Sequence, residues 1–124
     1  MANLIQQKSF DFALRIIKLY SSLQEQREYV LSRQLLRSGN SIGANVTEAG
    51  AGQSRKDFLS KMSIASKEAR ETKYWLLLLN ESELAHMDVS GELRDVEELI
   101  RILTSIVKTT AATSGEFSKF KTQT

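Results

Sequence analysis

Apolar residues recur at three- and four-residue steps along most of this chain, and no stretch alternates over the length of a strand. Four segments carry the helical pattern. The first runs from about Asn3 to Leu23, with Phe10, Ala13, Leu14, Ile17 and Tyr20 as its apolar stripe. Lys8, Asp11, Arg15 and Lys18 lie mostly off that stripe. "SSLQEQRE" has no such spacing and reads as a connection. The second segment starts near Glu28 and places Leu31, Leu35, Ser38, Ile42, Val46 and Ala49 on one face. The third, from Arg55 to about Asn80, has the stripe Phe58, Met62, Ala65, Ala69, Thr72 and Leu76. Its last turns, "YWLLLL", are apolar nearly all round. "ESELAHMDVSGE" reads as a polar connection. The fourth, from about Gly91 to Thr113, carries Leu93, Val96, Ile100, Leu103, Val107 and Thr110, widened by Leu99, Ile102 and Ile106.

The stretch "RSGNSIGANVTEAGAG", Arg37 to Gly52, holds four of the six glycines. A phosphate-cradling loop would need G-x-x-x-x-G-K-[ST] between a strand and a helix. Here Gly39 and Gly43 are one residue too close, no lysine follows and no strand precedes. A linker would break the apolar spacing, yet Ile42, Val46 and Ala49 keep it. Gly39 and Gly43 therefore belong inside the second helix. Each costs about 1 kcal/mol there relative to Ala, so a close helix contact is expected on that side. Gly50 and Gly52 suit the helix end, and Ser54 is placed to cap the next helix, with Asp57 spaced as in a capping box.

The chain has 124 residues and no proline, which favours long helices with few connections. The expected fold is all-α, an up-down-up-down antiparallel four-helix bundle forming a single domain over residues 1–124, with the tail at about 114–124 frayed. Cysteine is absent, which excludes disulfides and thiolate chemistry. "MANLIQQKSFDF" lacks the charged and apolar regions of a signal peptide, and no apolar run reaches the roughly 20 residues of a membrane span. A cytoplasmic location and no membrane partner are expected.

Net charge is only +2, but it is uneven. Residues 1–62 hold nine Lys/Arg and five Asp/Glu; residues 63–124 hold eight and ten. Such a split can steer a nucleic acid, pair subunits head to tail, or reflect two solvated faces.

Catalytic chemistry finds little support. A carboxylate di-iron bundle needs Glu-x-x-His on two helices, and the single histidine, His86, falls in a connection. No serine is placed beside it for a nucleophilic triad. Glu68 and Glu71 stand at i, i+3 and read as partners of Arg33 or Arg37 in preference to acid–base catalysts. No catalytic residue, metal ligand or cofactor is expected. Candidate nucleic-acid contacts are Lys18, Arg33, Arg37, Arg55, Lys56 and Lys61. One subunit would show only scattered positive charge, whereas a symmetric ring would multiply it.

"EYVLSRQLLRSGNSIGANVTEA", "SRKDFLSKMSIASKEARETKYWLLLL", "LTSIVKT" and "FALRIIKLY" resemble the four-helix bundle family also called the 23S rRNA intervening-sequence proteins. The resemblance covers nearly the whole chain. It implies a four-helix bundle assembled as a ring-shaped homopentamer, in a family for which no enzymatic activity is established. Some family members are encoded within insertions in bacterial 23S ribosomal RNA genes. The family is also similar to the accessory protein of diversity-generating retroelements, a basic pentamer that binds nucleic acid and a reverse transcriptase. This chain departs from that protein in lacking a strongly basic balance, which argues against tight nucleic-acid affinity. Two functions fit: an oligomeric bundle binding RNA or DNA through its basic surface, or an assembly or adaptor module whose partner is a protein.

Overall fold

The computed structural model describes residues 4–52 and 54–123, with side chains described as far as Thr113. The expectation of a frayed tail at 114–124 lies outside the described side chains. The elements are α1 (Leu4–Glu25), α2 (Leu31–Gly50), α3 (Arg55–Ser82) and α4 (Ser90–Gln123). Each helix packs on the two that flank it in the cycle α1–α2–α3–α4, and among the described residues no Cα atoms of the diagonal pairs α1–α3 and α2–α4 come within 8 Å of each other. This is the up-down-up-down bundle.

The stripes of α2 and α3 enter the core as their spacing dictates. Leu35, Ile42 and Val46 from α2 and Met62, Ala65, Ala69 and Leu76 from α3 are buried. Among the described side chains of α4, Val96, Leu99 and Leu103 are buried, with Ile100, Val107 and Thr110 only partly covered. Val89, placed by sequence in a polar connection, is fully buried beneath the start of α4.

α1 corrects the sequence reading. Its core residues are Ile5, Phe12, Ile16, Leu19 and Leu23, whereas Phe10, Leu14 and Ile17 point to solvent. The helix carries two apolar stripes of the same period on opposite sides. Periodicity reports that both exist and is blind to which one meets α2 and α4. α1 also continues through Glu25, into the segment read as a connection, and α2 begins at Leu31 instead of Glu28.

The shortened connection is held by backbone and carboxylate. Arg27 adopts a left-handed conformation (φ 63°). Its N–H donates to Gln24 O at 3.0 Å and the Glu28 N–H donates to Leu23 O at 2.9 Å, the paired bonds of a Schellman ending. The buried Glu28 carboxylate then accepts from the N–H groups of Val30 (2.8 Å), Leu31 (3.0 Å) and Ser32 (2.7 Å). These are donors that the first turn of α2 would leave unpaired. At the other end of the bundle Ser54 Oγ accepts from the Asp57 N–H at 3.1 Å and caps α3.

Candidate nucleic-acid interface

The six candidate cations are not brought to one place. Arg33 and Arg37 lie near the start of α2, while Arg55, Lys56 and Lys61 lie at the start of α3, at the opposite end of the bundle. From Arg33 to Gly50 the axis of α2 covers about 25 Å. Lys18 projects from α1 and is exposed.

Two of the six are engaged by carboxylates. Arg37 pairs with Glu68 (3.5 Å) and Glu71 on α3, and also donates to Gln34. Glu71 in turn accepts from Trp75 Nε1 at 3.0 Å. Glu68 and Glu71 thus link α2 to α3. Lys61 reaches Glu48 at 3.3 Å. Lys18, Arg33, Arg55 and Lys56 make no ion pair among the described residues.

The described acids of α4 are neutralised within the subunit. On α4, Glu98 meets Lys8 at 2.8 Å, and Glu92 and Asp95 meet Arg15 at 3.5 and 2.8 Å. Glu97 faces Lys73 of α3 at 3.6 Å. Burial works against the charge of Arg15, but its bonds and proximity to Asp95 and Glu92 outweigh this and hold the guanidinium above its ordinary value. These acids therefore form a seam between α4 and its neighbours. Among the described side chains of α4, the cations that lie outside this seam, Arg94, Arg101 and Lys108, are all exposed. None of the three is among the sequence candidates. Their seven-residue spacing, which puts them on one helix face, was the available signal.

Glycines and apolar residues shape the remaining surface. Gly39 and Gly43 lie inside α2 against α1: a Cβ on Gly43 would sit 3.3 Å from Ser9 O. Beside them Gln6, Phe10, Ala13, Asn40, Ala44 and Thr47 line an open groove between α1 and α2. Phe10 is 60% exposed and continues with Leu14 and Ile17 along the outer ridge of α1. On the diagonally opposite helix, Tyr74, 56% exposed, forms with Leu77 and Leu78 an outer apolar ridge on α3.

His86 is exposed in the α3–α4 connection, where its backbone N–H donates to Gln26 Oε1 at 2.8 Å and its carbonyl accepts from Gln26 Nε2 at 3.3 Å. Among the described residues no group of three His, Cys, Asp or Glu side chains could hold a metal ion. No helix among them is long and apolar enough to cross a membrane.

Residues 2–105 match the model of the 23S rRNA-intervening sequence protein family. A crystal structure of a protein of unknown function from the S23 ribosomal protein family of Bacteroides thetaiotaomicron is 48% identical, with a TM-score of 0.80. The match covers 85% of this chain and 99% of that one. No curated protein matches the sequence.

Proposed function

We propose that this chain, which belongs to the 23S rRNA-intervening sequence protein family, is a non-enzymatic building block that assembles into a homopentameric ring and holds RNA or DNA against the summed basic surface. The observation that carries the reading is the pair of apolar ridges on opposite corners of the bundle, Phe10–Leu14–Ile17 on α1 and Tyr74–Leu77–Leu78 on α3. Burying such surface is favourable by about 25 cal/mol per Å². Because the two ridges differ in composition, docking one on the other is head to tail, and a head-to-tail contact that closes makes a ring. The pentameric number comes from the family resemblance. Repetition around the ring multiplies cations that are sparse on one copy, and phosphate binding grows with the number of contacts.

Light scattering at micromolar concentration tests the assembly, and a species of monomer mass alone defeats it. Titration with single- and double-stranded RNA and DNA at two salt concentrations tests the ligand. Weak sequence dependence and a steep loss of affinity with salt are expected. An assembled protein that binds none of them at low salt leaves the alternative, an assembly or adaptor module for a protein partner. One observation favours that alternative: the connections at one end of the bundle expose Tyr29, Val30 and Leu84, which belong to neither ridge.

A further inference from the structure

We infer that the nucleic-acid contact surface is the C-terminal half of the described part of α4, centred on Arg101 and Lys108. The inference rests on the nucleic-acid reading above and assigns it a site absent from the sequence candidates, apart from a flanking Arg55.

A groove on the outer side of α4 is lined by Ile100, Arg101, Thr104, Ser105, Lys108 and Thr109. It holds two cations and three hydroxyls, and no carboxylate lines it. Arg70 of α3 adds a third cation at its edge, donating to Thr104 Oγ1 at 2.9 Å. Thr109 also lines the adjoining depression, which contains Ser54 and Arg55. A strip of positive charge and hydroxyl donors thus runs from Arg101 toward the start of α3.

Among the described side chains, the acids of α4 all precede this strip. Glu92, Asp95, Glu97 and Glu98 are drawn to Arg15, Lys73 and Lys8 on the flanking helices. Glu97 and Glu98, about one turn before Arg101, are placed to quench it, and they are paired with Lys73 and Lys8 instead. From Leu99 to Thr113 there is no acid at all. The charge sum of the second half is therefore negative while this surface is positive.

The partner follows from the chemistry. Arg101 and Lys108 are seven residues apart, about 10.5 Å along a straight helix. Cations so spaced, with hydroxyl donors between them, match repeated phosphates of a chain better than one isolated anion. The strip includes no residue of the two apolar ridges, so a ring built on those ridges does not consume it.

The test compares the wild type, an Arg101→Gln/Lys108→Gln double variant and an Arg101→Lys/Lys108→Arg charge-preserving variant. Each is first matched for oligomeric state and then titrated with RNA and DNA oligonucleotides, single- and double-stranded, across a salt series. The expected result is weaker binding by the glutamine variant, with the slope of log affinity against log salt reduced by about 2, one per lost phosphate contact. The charge-preserving variant retains affinity. If the wild type binds and the glutamine variant binds equally well with the same slope, this site is wrong while the proposed function stands. If the wild type binds no oligonucleotide at low salt, both fail. Displacement by millimolar inorganic phosphate beyond the effect of equal ionic strength in chloride identifies a single-anion site and also overturns the inference.

Discussion

Gly39 of α2 faces Ile16 of α1 so closely that a Cβ on Gly39 would lie 2.9 Å from Ile16 Cγ2 and 3.0 Å from Cγ1. Both are branch atoms next to the Ile16 Cβ, and Ile16 is fully buried, so the side chain has no room to yield. The helix interior tolerates two glycines because their absent side chains let α1 approach.

Gly39→Ala gains about 1 kcal/mol of helix propensity and loses more to overpacking, at about 1–3 kcal/mol. A net loss of stability is expected in chemical denaturation. Gly43→Leu, whose Cβ meets the rigid backbone oxygen of Ser9, is expected to lose about 1–3 kcal/mol by the same mechanism. A stabilised Gly39→Ala protein would show that the α1–α2 contact is looser than described.

Glu28 serves as a side-chain cap although it precedes the helix. Glu28→Ala strips partners from three N–H groups at the start of α2. A loss of about 2 kcal/mol is expected, with Glu28→Gln intermediate because one oxygen acceptor survives. Denaturant midpoints of the three proteins check the order, and equal midpoints would refute it.

Arg27 holds the left-handed position that glycine fills most easily. The Arg27 side chain makes no hydrogen bond or ion pair among the described residues. Arg27→Gly should therefore stabilise the bundle by about 1 kcal/mol, the cost of that conformation for a residue with a Cβ. Thermal unfolding measures it, and a lowered midpoint would mean that glycine's freedom in the unfolded chain outweighs the relief.

Asp88 caps α4 by accepting from the Ser90 N–H at 3.0 Å. That backbone bond, with the Ser90 side chain and nearby Arg94 adding to it, holds the carboxyl below its ordinary value. The folded state therefore favours the ionised form. Its stabilisation is fully present above the ordinary carboxylate value and is lost as pH falls through the lower folded value. In Asp88→Asn an acceptor remains but the charge does not, so the fall of stability on acidification should be shallower. Superimposable pH curves for the two proteins would remove Asp88 from this role.

Much of the fold was legible in the sequence, because the stripe of α2 offers one apolar face and only one way to bury it, and that of α3 does so until its last turns, where Tyr74, Leu77 and Leu78 add an outer ridge. The places of Gly39 and Gly43 were legible too: Leu35, Ile42 and Val46 keep their spacing straight through them. Ser54 announced its cap by residue type and position. α1 was not legible in this way. Its two stripes, Phe12–Ile16–Leu19–Leu23 and Phe10–Leu14–Ile17, have the same period, and only the packing of α2 through Gly39 selects the first for the core. The candidate surface was less legible still. A count of charges treats Arg15, Arg37, Arg101 and Lys108 alike, yet carboxylates on neighbouring helices take up the first two and leave the last two facing solvent. Helical periodicity is a property of neighbours along the chain, so sequence can determine it. Whether a charge is spent inside the bundle or left on its surface depends on which side chains meet across helices, at distances of a few ångströms that only the tertiary packing sets.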